Sequence, residues 1–241
     1  MLQALIFDVD GTLADTERAH LAAFNAAFAA EGLDWRWDEA LYTRLLEVSG
    51  GKERIQHYWQ QVYPERRDID GNELRAFIDR LHEVKTAFYE EAVRQGAVQL
   101  RPGVLALIEA AQREGLRLAI ATTTSPVNIA ALLRVAMGPD WQRAFAVIED
   151  ASTAPRKKPH PQVYQQTLTR LGLPSAACVA FEDSANGLQA ARACGLPTIV
   201  TPNAFTAHHD LRGALRVLPS LEGLTLPTLR QWHAEAVGAP A

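Results

Sequence analysis

Asp8-Val9-Asp10-Gly11-Thr12 sets two carboxylates two residues apart. An ionised Asp can attack a phosphoryl group only if the incoming negative charge is neutralised, so the pair calls for a metal and for cationic donors nearby. An acidic turn of this composition also arises by chance, and the motif takes its meaning from its surroundings. Three further groups could complete such a site. The run Thr122-Thr123-Thr124-Ser125 offers hydroxyls and backbone N–H groups that can cradle phosphate oxygens at a helix start, although hydroxyl runs more often act as N-caps. Lys157-Lys158-Pro159 offers a point charge, against the ordinary reading of a solvated lysine pair. Glu182-Asp183-Ser184 adds two carboxylates which, with Asp8 and Asp10, make an oxygen-rich set suited to octahedral Mg²⁺; alone they would read as a helix cap.

Each of the motifs except the lysine pair closes a short apolar run. Leu5-Ile6-Phe7 ends in Asp8, Leu118 to Ala121 ends in Thr122, and Val179-Ala180-Phe181 ends in Glu182-Asp183, while Phe145 to Ile148 ends in Glu149. Between the later runs lie helical patterns: Pro102 to Glu114 before Gly115, Pro161 to Leu171 before Gly172, and Ala185 to Cys194 before Gly195. Strands alternating with helices predict right-handed βαβ units, hence a doubly wound parallel sheet of the Rossmann-like α/β class. In such sheets ligands bind at the carboxyl ends of the strands, where these polar residues fall.

Residues 16–98 break the alternation. Ala22, Phe24, Ala27 and Phe28 make one amphipathic face closed by Gly32, and Leu74, Phe77, Ile78, Leu81 and Phe88 make another. The pattern predicts a helical insertion at 16–98 within a core formed by 1–15 and 99–241, with Arg101-Pro102-Gly103 marking re-entry and a last helix from Leu226 to Val237.

With 241 residues, 48% of them hydrophobic, the chain can bury a sizeable core. Its 24 Lys and Arg against 28 Asp and Glu leave a net charge of -4, so no basic field draws it to nucleic acid or to an anionic membrane. Two cysteines, Cys178 and Cys194, cannot build a disulfide scaffold. No stretch reaches 18 apolar residues. A cytoplasmic monomer acting on a small molecule is expected.

The ordered set of strand-DxDGT, strand-Thr, Lys-Pro and strand-Glu-Asp resembles the haloacid dehalogenase superfamily of phosphohydrolases across essentially the whole chain. The resemblance implies that Asp8 is the nucleophile, forming an aspartyl-phosphate, and that Asp10 is the general acid/base. Thr122, with Thr123, and Lys158 would bind the transferred phosphoryl group. Asp8, the carbonyl of Asp10, and Asp183 would hold Mg²⁺, with Glu182 as a ligand or beside one. The insertion then looks like the four-helix cap of the beta-phosphoglucomutase and phosphoglycolate phosphatase branch. The strings Phe7 to Ala14, Gly50 to Ile55, Ala121 to Ser125 and Lys157 to Pro159 look like the CbbY branch, which implies a phosphatase acting on the sugar bisphosphate xylulose 1,5-bisphosphate. A beta-phosphoglucomutase-like transferase is the nearest rival, and a non-catalytic binding protein on the same fold is a more distant one.

The cap is expected to choose the substrate. Glu17 and His20, three apart on one helical face, could bond sugar hydroxyls, with Trp35 and Trp37 nearby in the resemblance and Asp15 expected as a helix N-cap. Gly50, Gly51, Lys52, Glu53 and Arg54 form a glycine turn opening a helix, a second anion site by residue type, although solvated helix-start charges are the bland alternative. His82 and Lys85 share a later helical face, as a solvated pair also would, and Thr124 and Ser125 complete the expected substrate contacts.

A second dianion in a net-acidic chain needs its own cation. Lys52→Ala is therefore expected to lower kcat/KM for a bisphosphate by roughly 10 to 150-fold, the worth of a desolvated charge-assisted hydrogen bond, and to spare a small monophosphate reporter. Equal losses on both substrates would move the role to His82 and Lys85.

Overall fold

The computed structural model describes residues 1–64 and 71–238. The chain divides into two compact units, Met1–Asp15 with Gln99–Ala241, and Thr16–Val98.

In the first unit the apolar runs become strands β1 (Ala4–Phe7), β2 (Arg117–Ala121), β3 (Val147–Glu149) and β4 (Cys178–Glu182), joined by β5 (Thr198–Val200) and β6 (Arg216–Val217). The sheet order is β3-β2-β1-β4-β5-β6, and every recorded strand pairing is parallel. Every residue of β1 and β4 is buried, as in strands covered on both faces, which is why these segments read as unbroken apolar runs without alternation. Ala4, Ile6, Ala119, Ala121, Cys178 and Ala180 pack on one face with Val163, Tyr164 and Leu171 of α7 (Gln162–Leu171) and Ala190 and Ala191 of α8 (Ala185–Arg192). On the alternate positions the rings of Phe7 and Phe181 stack 4.7 Å apart. The helices α5 (Val104–Arg113), α6 (Pro126–Met137) and α9 (Leu226–Gly238) complete this unit.

The second unit contains α1 (Glu17–Ala30), α2 (Glu39–Leu45), α3 (Gly51–Val62) and α4 (Gly71–Arg94), with α4 packed against both α1 and α3. Its core is aromatic. Phe24 and Phe28 lie 4.7 and 4.9 Å from the Trp37 ring, and the Asn25 side chain holds the Trp37 backbone at both its N–H and its C=O, each at 2.8 Å.

Several expectations need correction. The third strand begins at Val147, because Phe145 and Ala146 form the approach from a 3-10 turn at Trp141–Ala144. β5 and β6 carry three and two residues, too short for an apolar period to register. Ala22 and Phe88 are exposed; the buried positions at those turns are Ala23 and Tyr89, one residue on in each helix. Asp15 is no helix cap: Thr16 precedes α1, and Asp15 pairs instead with Arg101 Nε at 3.4 Å. Cys194 lies past the end of α8 and is only partly covered. No helix of the described residues is long and apolar enough to cross a membrane.

Gly103 caps α5 at a φ of +84°, where a Cβ would fall 2.1 Å from the Leu221 backbone. Neither the left-handed conformation nor a backbone neighbour can yield cheaply, so Gly103→Ala is expected to cost about 2 kcal/mol or more, read as a lower urea midpoint. An unchanged midpoint would mean that the chain around Leu221 moves freely.

Candidate active site

The sheet reverses its direction of winding between β1 and β4: the chain runs outward from β1 to β2 and β3, then returns to the other side of β1 with β4. The crevice at such a switch point lies outside the carboxyl ends of the two strands. Phe7 pairs in register with both Ile120 and Phe181, so the residues that follow, Asp8, Thr122 and the pair Glu182-Asp183, are brought to one edge. Asp8 N–H still donates to Phe181 O at 3.0 Å, which fixes where its side chain starts.

Lys158 enters from the loop between β3 and α7. Its buried ammonium donates to Asp8 Oδ1 at 2.7 Å and to Ala121 O at 2.8 Å, and lies 2.7 Å from Glu182 Oε1. Tyr164 on α7 donates its hydroxyl to the same Glu182 oxygen, and Lys158 Nζ stands 5.2 Å from the centre of its ring. Burial pushes the Asp8 carboxyl above its ordinary value, opposed first by Lys158, with Asp10 adding to the rise and the Thr122 hydroxyl reducing it. Burial likewise lifts Glu182 to about 7 against the pull of Lys158, with Asp8 adding to the rise. Burial alone would lower Lys158, but Asp8 and Glu182 hold it above the ordinary lysine range, so it stays a cation.

The oxygens of Asp8, Glu182 and Asp183 lie within 4.8 Å of one another, all three residues buried. Glu182 Oε2 is buried and has no hydrogen-bond partner. Three crowded carboxylates, one of them with an orphaned oxygen, are hard donors that fit a divalent cation such as Mg²⁺. Asp10 sits in the following loop, which Gly11 folds back by donating to Ala14 O at 2.8 Å. Thr12 Oγ1 stands 3.5 Å from Asp8 Oδ2.

The hydroxyl run divides its labour. Thr122 is buried at the end of β2 and accepts from Thr124 N–H at 3.3 Å. Thr124 Oγ1 accepts from the Asn128 amide, and Ser125 is the N-cap of α6, accepting from Asn128 N–H, so the cap reading holds for Ser125. Thr123 is half-buried beside them.

In the second unit Glu17 accepts from the Tyr42 hydroxyl at 2.8 Å. Arg54 is buried and spends its guanidinium on Leu45 O, Val48 O and the Tyr42 hydroxyl. Lys52 is half exposed and ion-paired with Asp79 at 2.6 Å, while the Glu53 carboxylate curls back over Gly50. Lys85, by contrast, is buried: its ammonium lies 2.8 Å from His20 Nδ1, and His20 stacks on Tyr89 at 4.1 Å. A Cβ on Gly51 would meet the His82 ring at 2.6 Å. The solvated-face reading of Lys85 is thereby excluded.

Three residues escaped the motif reading. Tyr164 reaches Glu182, Asn203 reaches Asp183 and Arg101 reaches the carbonyl of Gly11 beside Asp10, and each would read as an ordinary core tyrosine, turn asparagine or linker arginine. The spacing of Tyr164 on the buried face of α7 with Val163 and Thr167 was the one available signal.

A model of haloacid dehalogenase-like hydrolases matches residues 2–195. The chain is 58% identical over 220 residues to the plasmid protein CbbY of Cupriavidus necator, covering 91% of this chain and 86% of that one. It is 41% identical to the crystal structure of CbbY from Rhodobacter sphaeroides in complex with phosphate, with a TM-score of 0.86 over 95% of this chain and all (100%) of that one. A mutant of that protein in complex with xylulose-(1,5)bisphosphate superposes equally well, at 42% identity, covering 95% and 99% of the two chains with a TM-score of 0.86.

Two outcomes follow from this geometry. A Cβ at Gly187 would lie 1.9 Å from Glu182 Oε2, so the flexible carboxylate must swing away. Gly187→Ala is expected to fold, since Ala suits a helix interior, but to lose roughly 10 to 150-fold in turnover of an aryl phosphate, the worth of the disturbed charge-assisted bonds. In the second unit burial, then Lys85, Lys52 and His20, lower His82 to about 3 from 6.5, with Asp79 opposing. Between those pH values the unfolded chain binds the extra proton, so stability is complete above pH 6.5 and falls as pH drops toward 3. Urea midpoints measured across this range should fall less steeply for His82→Asn than for the wild type; identical slopes would contradict the neutral His82.

Proposed function

Since the chain belongs to the haloacid dehalogenase-like hydrolase family, we propose that it is a sugar-bisphosphate phosphatase that works through an aspartyl-phosphate on Asp8, with xylulose 1,5-bisphosphate as its substrate. The observation that carries this reading is the buried contact between Asp8 and Lys158 at 2.7 Å, beside Glu182 and Asp183 at the switch point of the sheet. A carboxylate pinned at one oxygen by a permanent cation keeps its other oxygen for attack on phosphorus.

In the first step Asp8 forms an O–P bond as the bond between phosphorus and the sugar oxygen breaks, and Asp10 protonates that departing oxygen. In the second, Asp10 takes a proton from water, which attacks phosphorus and releases inorganic phosphate from Asp8. Lys158 and the Thr122 hydroxyl hold the phosphoryl oxygens, with Thr123 alongside. Asp8, the Asp10 carbonyl and Asp183, with Glu182 at hand, would hold Mg²⁺, whose charge offsets the repulsion between carboxylates and a phosphoryl dianion. The choice of sugar is assigned to the polar residues of the second unit, among them Glu17, His20, Lys52, His82 and Lys85. The likeness to the CbbY mutant of Rhodobacter sphaeroides in complex with xylulose-(1,5)bisphosphate, at 42% identity, supports the bisphosphate as substrate class.

A panel of sugar mono- and bisphosphates assayed for Mg²⁺-dependent release of phosphate tests the reading. Xylulose 1,5-bisphosphate is expected to give the highest kcat/KM, with one phosphate freed per substrate; conservation of total ester phosphate would indicate a transferase. Asp8→Asn is expected to remove turnover by many powers of ten while leaving the fold intact, because an amide of nearly the same shape cannot attack. Wild-type-like turnover by that variant would end the covalent mechanism.

A further inference from the structure

We propose that Asn203 is a positioning residue for Asp183, holding its carboxylate ready for the divalent cation; this rests on the reading that Asp8, Glu182 and Asp183 hold that cation. Asn203 Nδ2 donates to Asp183 Oδ2 at 2.9 Å. An asparagine amide can offer either end to a neighbour, and here the choice is fixed locally. Its Oδ1 accepts from Phe205 N–H at 2.8 Å, and its own N–H donates to Thr206 Oγ1 at 3.0 Å. The nitrogen end is therefore the one turned to the carboxylate.

The turn carrying Asn203 is held from behind by the buried guanidinium of Arg101, which donates to Pro202 O at 3.0 Å and to Pro219 O at 3.2 Å, and also reaches Thr201 and the carbonyl of Gly11. One permanently charged fork thus ties the residue after Asp10 to the residue before Asn203. Gly11 leaves the room for this approach: at its φ of +77° a Cβ would lie 2.2 Å from Asp183 Oδ2 and 2.7 Å from Asn203 Nδ2. Asp183 shares its site with two other buried carboxylates, whose charge drives it to rotate away. A fixed amide donor on one oxygen opposes that rotation, so the cation meets a carboxylate already set in place. Groups that orient ligating carboxylates in this way are worth about 10 to 100-fold in metal affinity.

The test is calorimetric titration of the full-length protein with Mg²⁺, comparing wild type, Asn203→Ser and Thr206→Ala. A serine can still accept the Phe205 N–H and keep the turn but lacks the amide donor, whereas Thr206→Ala loosens the same turn and leaves that donor. Asn203→Ser is expected to bind Mg²⁺ about 10 to 100-fold more weakly, with kcat recovering at saturating Mg²⁺, while Thr206→Ala keeps the wild-type Kd. A wild-type Kd in Asn203→Ser overturns the role. Equal weakening in both variants also overturns it, since loop integrity alone would then account for the loss. Failure of the wild type itself to bind Mg²⁺ would overturn the metal reading, and this inference with it.

Discussion

Three carboxylates are buried within reach of one another at the end of a parallel sheet, and Lys158 is in contact with two of them. Removing like charges from water is costly, and bringing them together adds to the cost, so the cluster exists only where cations and fixed donors offset it. Much of the first unit serves that end. The switch in strand order supplies the crevice, the register of β1 with β2 and β4 supplies the convergence, and the loop after β3 delivers the ammonium. Removing Lys158 would leave uncompensated buried charge, whereas a phosphoryl dianion arriving without further cations would meet repulsion. The same crowding makes the site suited to a divalent cation and an anionic ester together.

The neighbours of the cluster show how little freedom it has. Gly187 lacks a Cβ where Glu182 must lie, and Gly11 lacks one where Asp183 and Asn203 meet. Tyr164 and Lys158 share Glu182 Oε1 and leave Oε2 without a partner. Arg101 fastens the loop after Asp10 to the loop before Asn203. The second unit has a different construction, an aromatic core with Lys85 and His20 buried among ring faces, and its polar groups are largely paired with one another.

The sequence made the core motifs legible because each follows the strand that positions it: Asp8 is one residue beyond β1, Thr122 one beyond β2, and Glu182 closes β4. Local order along the chain was enough to place them at one edge once a parallel sheet was inferred. Asn203 and Arg101 were not legible in this way. Their partners lie 20 and 90 residues away, and an Asn in a turn or an Arg in a linker has no periodicity to betray it. Register errors had a similar origin. Phe88 and Tyr89 are adjacent aromatics on one helix, and only packing against α1 decides which is buried. For Asp15, an acid just ahead of a helix suggested a cap, yet the nearby Arg101 claimed its carboxylate.

The central claim, that the buried ion pair arms Asp8 as a nucleophile, is tested most directly by trapping the phosphoenzyme. Asp10→Asn protein, slowed in hydrolysis of the intermediate, would be mixed with a phosphorus-labelled activated aryl phosphate and Mg²⁺, acid-quenched and mapped by mass spectrometry. The expected result is a base-labile phosphoryl group carried on Asp8. Steady release of phosphate with no labelled protein, or label on any other residue, would contradict it.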